Sequence, residues 1–335
     1  LIMTTYKEIR GTHIKTVTSD PPEPQNGQMW YNSTSQTIKG FTSNPVGAYS
    51  SAPNLNHGRS ILNGSGGTQT SAIMFGGYAP ELPSPERSDF VEEWNGSSWT
   101  ETTDLNTRRV NPSGTATSSE SAICIGGYGA SGAIGNVETW DGSSWTEIAD
   151  MPTGTDATGS CGTQTNALSS GGRSSIANNQ YWNGSAWTEL ADLNNGKSSS
   201  TNIGTYTAAL NTIGRNSPPQ AARAYAELWN GSAWTEVADL NTGRSQGGGS
   251  GTSTQAIVLA GEGPGGPEFA NSEKWNGSTW TETTDIVRNK NAVGTSGRSG
   301  ATPSGAFIWA GGSPTFNESY LYNEPTTATV TFTAS

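Results

Sequence analysis

Large apolar side chains recur along the chain in short, strand-length runs separated by polar turns, and the most regular run is Trp94-Asn95-Gly96-Ser97-Ser98-Trp99-Thr100-Glu101. It returns at Trp140 to Glu147, Trp182 to Glu189, Trp229 to Glu236 and Trp275 to Glu282. Asn-Gly between strand formers predicts a β-hairpin, because both central residues of a type I′ turn need positive φ. With Asn95 and Gly96 as a two-residue loop, Trp94 faces Ser97, and alternation puts Trp99 on the same face, diagonal to Trp94. A two-stranded ribbon is marginal in water, so its indole face needs cover from a neighbouring copy. The pairs Trp94/Trp99, Trp140/Trp145, Trp182/Trp187, Trp229/Trp234 and Trp275/Trp280 are therefore expected to be buried packing residues rather than ligand contacts.

Three further markers precede each hairpin in fixed order. A Leu-Asn-type turn comes first (Leu55-Asn56, Leu105-Asn106, Met151, Leu193-Asn194, Leu240-Asn241, Ile286), then a Gly/Ser/Thr-rich strand such as Asn63 to Thr68 or Gly247 to Thr252. An apolar strand ending in Gly-Gly follows, at Gly76-Gly77, Gly126-Gly127, Gly171-Gly172 and Gly311-Gly312, with degenerate versions at Ile213-Gly214 and Ala260-Gly261. First-Trp positions are spaced by 46, 42, 47 and 46 residues, and Tyr322-Asn323 follows 47 later as a weakened copy. Four strands per unit of this length predict the blades of a β-propeller, six in number. Only five Trp hairpins are complete. The segment from Ala48 to Asn56 aligns with Ser98 to Asn106, with Tyr49 in the Trp place, so an N-terminal strand is expected to close the ring against Tyr322. The alternating run Ala328 to Thr333 is the rival for that slot and is otherwise an extra edge strand.

The fold expected is thus all-β, a six-bladed propeller over residues 46–335 preceded by an arm over 1–45. The arm joins a charged segment from Met3 to Ser19, the stiff stretch Asp20-Pro21-Pro22-Glu23-Pro24, and a second hairpin from Gly27 to Phe41. It is too short for a core of its own. Trp30 and Tyr31 are its expected attachment residues, docking on a partner or on another copy of the chain.

An apolar strand ending in Gly-Gly, an aromatic residue 13 to 17 positions later and a Trp about five beyond it resemble the kelch repeat and the galactose-oxidase type of propeller, over about residues 46–324. The resemblance implies that the Gly-rich strand is innermost and the second-Trp strand outermost. The chain departs from that family in its thinned basic residues, with Arg59, Arg108 and Arg244 as partial matches. The arm's run from Gly27 to Thr34, with Ile38-Lys39-Gly40, placed before Trp-Asn-Gly-Ser repeats, looks like the N-terminal segments of tail and fibre-like proteins of marine tailed bacteriophages. Such relatives are thought to contact host-surface glycans or proteins.

Composition narrows the chemistry. The apolar fraction is only 31%, but 12 Trp, 10 Tyr and 7 Phe among 44 Gly suit thin repeated sheets. A net charge of −11 argues against nucleic acid. No stretch reaches the roughly 18 apolar residues of a membrane span, and no basic-then-apolar leader opens the chain, so a soluble protein not exported through a cleaved signal is expected. Cys124 and Cys161 make no disulfide framework, and the Asn-x-Ser/Thr sequons at Asn32, Asn63, Asn95, Asn183, Asn230 and Asn276 read as turn chemistry. A copper oxidase site needs several His and Tyr ligands, whereas the histidines are His13 and His57 alone. Glu101, Glu147, Glu189, Glu236 and Glu282 recur at one repeat position and read as solvated side chains rather than an acid pair. No phosphate loop or metal-spaced cluster is present, so neither catalysis nor a cofactor is expected. The insertions after Gly-Gly (Gly77 to Ser88, Gly127 to Asn136, Gly214 to Ala222, Gly261 to Asn271) emerge on one face and are the binding candidates. The expected function is a non-enzymatic virion appendage, anchored to other virion proteins through residues 1–45, as a homo-oligomer, with the propeller displayed for host-surface recognition. A secreted kelch-type adhesin, or a catalytically inactive oxidase relative, is the alternative.

Overall fold

The computed structural model describes residues 14–22, 24, 27–44, 47–60, 64–84, 86–216, 221–295, 308–313, 317–323 and 326–332. His13, Asn63, Pro85, Thr333 and residues 217–220 of one insertion lie outside them. The chain divides into two compact units, residues 1–47 with 324–335, and residues 48–323. Among the described residues the regular elements are strands, apart from one short 3-10 turn at Arg173–Ser175.

In the larger unit, six four-stranded antiparallel sheets follow one another. The first contains Ser65–Gly67, Ala72–Phe75, Val91–Trp94 and Trp99–Glu101. The second contains Ser113–Ser118, Ser121–Ile125, Val137–Trp140 and Trp145–Ile148, and the third Gly159–Thr163, Asn166–Ser170, Asn179–Trp182 and Trp187–Leu190. The fourth is Thr201–Thr205, Ala208–Thr212, Ala226–Trp229 and Trp234–Val237, and the fifth Gly248–Gly251, Ala256–Leu259, Ser272–Trp275 and Trp280–Thr283. The sixth joins Asn291–Thr295, Ile308–Ser313 and Ser319–Asn323 to Ala48–Ala52 from the opposite end of the unit. There Tyr49 pairs directly with Tyr322, their ring centroids 5.1 Å apart. The arrangement is compatible with a propeller.

Small residues dominate each first strand because neighbouring first strands nearly touch. A Cβ added at Gly66 would sit 2.2 Å from the amide nitrogen of Ala116 in the next sheet. Hydroxyls bridge these strands: Ser160 Oγ donates to the Gly114 carbonyl (2.8 Å) and Thr295 Oγ1 to that of Gly249 (2.8 Å). Ser65 Oγ donates to the carbonyl of Thr295 at 2.9 Å and accepts that residue's N–H, linking first and sixth sheets. Apolar clusters fill the gaps between sheets. One holds Ile73, Phe75 and Val91 against Cys124, Trp140 and Trp145. Another packs Met74, Trp94 and Trp99 with Leu55 and, from the sixth sheet, Ala52 and Leu321.

The hairpins differ from the two-residue-loop expectation. Trp94 pairs directly with Trp99, and likewise in the other four, so the loops hold four residues. The cause is the Asn side chain: Asn95 Oδ1 accepts the N–H groups of Ser97 and Ser98, both at 2.9 Å, leaving only Gly96 at positive φ, +94°. Paired indoles consequently pack against each other at a tilt of 38° to 45°, centroids 5.2 to 5.6 Å apart.

The smaller unit is one four-stranded sheet in the order Lys15–Val17, Met29–Asn32, Thr37–Asn44, Thr326–Phe332, its first pair parallel. The tail therefore differs from the expected edge strand of the repeats: it completes the arm's sheet along Ile38 to Asn44, and the repeat unit ends at 323 rather than 335. That long partner strand has seven backbone pairing positions to offer, which the short strands of the repeats do not.

Candidate functional site

The residue types that look chemical in each repeat are consumed in holding the sheets. Two positions before the first Trp, on the third strand, lies a buried Glu: Glu92, Glu138, Glu227 and Glu273. Each meets a buried base from the preceding turn. Arg59 Nη2 is 3.0 Å from Glu92, Arg244 Nη2 2.6 Å from Glu273, and Lys197 Nζ 3.9 Å from Glu227, and Arg109 pairs with Glu138. In the sixth sheet Lys290 reaches Glu318 at 3.3 Å. The same guanidiniums bind backbone, as when Arg109 Nη1 donates to the carbonyls of Gly126 (3.0 Å) and Asn136 (2.8 Å). The second carboxylate oxygen accepts the backbone N–H and the side chain of Asn56, Asn106, Asn194 or Asn241, which accounts for the Leu-Asn marker. Burial lowers the Lys197 ammonium to about 8 and lowers the Arg59 and Arg244 guanidiniums, against the raising pull of their carboxylates.

The partial matches Arg59, Arg108 and Arg244 mark only two of these pairs. Arg109, not Arg108, makes the second pair; Arg108 is exposed and meets Asp89. Lysines fill two places where arginine was sought. The usable signal was a basic residue 28 to 33 positions before a Glu, repeated in five of six units. The third unit lacks both members at once, with Thr155 and Gln180 in their places.

The other predicted residues fall as follows. Nine of the ten hairpin tryptophans are buried, and Trp187 is half-buried. Trp30 is fully buried and donates to Asp20 (3.0 Å), which also accepts from Asn32 and Lys39 and is held down at about 2 by Lys39 first. Trp30 thus lies inside the arm's own sheet, and Tyr31 beside it is half-buried. Glu101, Glu147, Glu189, Glu236 and Glu282 are exposed. Cys124 and Cys161 are buried and form no disulfide, and burial pushes the Cys124 thiol up to about 12, far from a reactive thiolate. Among the described residues no group of three or more His, Cys, Asp or Glu side chains converges in a way that could hold a metal ion, and no helix is long and apolar enough to cross a membrane.

Variation concentrates at the end of the sheets where Gly-Gly stands. The residue after it is Tyr78, Tyr128, Arg173, Arg215, Glu262 and Ser313 in successive units. Each of the first five is fixed by backbone bonds to the segment after the basic position: Tyr78 with Ser60, Tyr128 with Val110, Arg173 to Asp156, Arg215 with Ser198, and Glu262 with Ser245. A cavity of about 200 Å³ opens among Asn111, Asp156, Ala157, Arg173, Ser198, Ser199, Arg215 and Gln246. Its rim is stitched from sheet to sheet by N–H donors of Ala157, Ser199 and Gln246 to the carbonyls of Asn111, Ala157 and Ser199, at 2.7 to 3.2 Å. Arg173 forks onto Asp156 (2.5 and 2.6 Å) and lies 4.6 Å over the Tyr128 ring, while Arg215 pairs with Glu262 and donates to Ser245 Oγ. No protein-family model and no curated protein matches this chain.

Proposed function

We propose that this chain is a non-catalytic virion protein of a tailed bacteriophage, in which a six-bladed, kelch-like β-propeller presents a recognition surface at its Gly-Gly end and the arm attaches it to other virion proteins. One observation carries the recognition reading: the buried basic and Glu residues of the sheets find their partners within the fold, while the position after Gly-Gly takes four residue types, Tyr, Arg, Glu and Ser, in six repeats. Differing residues on a repeated scaffold suit specific binding, because the scaffold holds them rigidly at no cost to the repeat. Ring closure with six blades is supported by the hydroxyl bonds of Ser65 with Thr295 and by the Tyr49–Tyr322 pair. Closure would also remove the exposed sheet edge. The phage assignment rests on the likeness of the arm's Gly27 to Thr34 segment to tail-associated proteins, and the kelch assignment on the order and spacing of the markers.

The test is mass spectrometry of purified virions of the phage that encodes the chain, together with a variant lacking residues 1–40. The full chain should be a stoichiometric particle component, and the shortened chain should fold and fail to incorporate. Absence from particles, or normal incorporation of the shortened chain, would overturn the respective half of the reading.

A further inference from the structure

Resting on the recognition reading above, we infer that the cavity at the Gly-Gly end binds one neutral sugar residue, a hexose ring with its hydroxyls intact. The volume of about 200 Å³ is below the ~300–1,000 Å³ of sites for drug-sized ligands and suits a single ring. Its charges cancel: Arg173 is bridged to Asp156 and Arg215 to Glu262. An anion would have to compete with a carboxylate already on each guanidinium, and a cation with a guanidinium already on each carboxylate. An apolar ligand would find little apolar wall, since Ala157 is the one aliphatic residue among the lining side chains. What the walls do offer is a mixture of hydroxyl, amide, guanidinium and carboxylate groups. A sugar hydroxyl both donates and accepts, and so matches such a mixture where a simple ion does not.

The groups are also held in advance. Arg173 uses two of its five N–H groups on Asp156 and rests on Tyr128, leaving the others for a ligand. Gln246 is anchored by its amide on Glu262 at 3.0 Å. Five lining residues, Asn111, Ala157, Ser174, Ser199 and Gln246, sit at φ of 47°, 59°, 64°, 55° and 58°, a conformation L-residues avoid. Such strain is kept where the surroundings over-determine it, and it clusters at ligand sites. A preorganised polar wall lowers the ordering cost of binding.

Isothermal titration of the protein with methyl galactoside, methyl glucoside and methyl mannoside tests this, with galacturonate and inorganic phosphate alongside. At least one neutral sugar should bind in the millimolar range expected of so small a ligand, and the two anions should not. Ser198→Trp, which fills the cavity, should abolish binding, and Gln246→Ala should weaken it about tenfold by removing one hydrogen-bond donor. No heat from any neutral sugar, binding of phosphate or galacturonate in their place, or unchanged affinity in both variants would overturn the inference. Adsorption of the protein to host cells, measured in parallel, separates the two levels. Adsorption without sugar binding would defeat this inference alone, whereas sugar binding without adsorption would defeat the recognition reading.

Discussion

Glu138 and Arg109 are both buried, and each would be an uncompensated charge without the other. Removing one partner of such a pair costs about 3–5 kcal/mol, while replacing both is far milder. Glu138→Gln alone should therefore lower stability by about that much in chemical denaturation. The double variant Arg109→Thr with Glu138→Gln, which copies Thr155 and Gln180 of the third sheet, should recover most of the loss. A double variant as unstable as the single one would show that the pair is not the stabilising unit. The turn residue makes a second case. Asp141 stands where the other four hairpins have Asn, and its Oδ1 accepts the N–H groups of Ser143 and Ser144 at 2.9 Å. Hydrogen bonds from Ser143 first, and then Ser144, lower its pKa from 3.8 to about 2. A depressed carboxylate stabilises the fold above its unfolded pKa and loses that contribution as pH falls through the folded value. Asp141→Asn keeps the acceptor but removes the charge, so the melting temperature should lose the fall on acidification from pH 3.8 to about 2, while Asp141→Ala, which removes the acceptor, should lower the melting temperature at pH 7. At this scale the sequence showed where the turns lie. It did not show that a side-chain acceptor, rather than two residues of positive φ, shapes them, because Asn-Gly satisfies either turn.

Within the second sheet the two indoles of the hairpin are not equivalent. Trp140 Nε1 donates to the carbonyl of Ser119 at 2.8 Å, whereas Trp145 Nε1 is buried with no partner, unlike the second indoles Trp99, Trp187 and Trp280, which donate to Ser319 Oγ and to the carbonyls of Ala149 and Ala238. Trp140→Phe should thus cost more than Trp145→Phe, by about 1 kcal/mol for the lost hydrogen bond and the orphaned carbonyl. Equal melting curves would contradict this. The first insertion carries a pH-dependent tie. His57 is stacked on Phe90 at 4.2 Å and lies between Glu81 (2.5 Å) and Glu101 (3.5 Å). Burial lowers its pKa, but the two carboxylates outweigh burial and the net shift is upward. The contribution is therefore complete below its ordinary value of about 6.5 and is lost as pH rises through the higher folded value. An NMR titration should find the imidazole pKa above that of a free histidine, and His57→Gln should remove this part of the pH dependence. The paired-Trp strands, the Gly-Gly strand ends and the small-residue strands were all legible as elements. The basic–Glu braces were not, since their members lie in different elements and the lysine substitutions break the pattern.

For the larger unit as a whole, the proposed ring depends on Ala48–Ala52 lying beside Ser319–Asn323. A chain of residues 48–323 should unfold in one cooperative transition, and one of residues 53–323 should melt much lower or aggregate through the edge left open. The alignment of Tyr49 with the second-Trp position made that strand legible. The tail's partner was not, because its alternating pattern fits any free edge. The candidate site was legible only as a set of insertions on one face. The cavity itself arises from residues in successive repeats whose types differ, so no repeated motif marks it. Adsorption of the labelled protein to host cells tests the central claim, that recognition resides at the Gly-Gly end, by comparing two altered surfaces. Replacing Tyr78, Tyr128 and Arg215 with alanine should abolish adsorption, while replacing the exposed Ser97, Ser143 and Ser232 of the hairpin turns should leave it intact. Adsorption that survives the first set and is lost with the second would contradict the account.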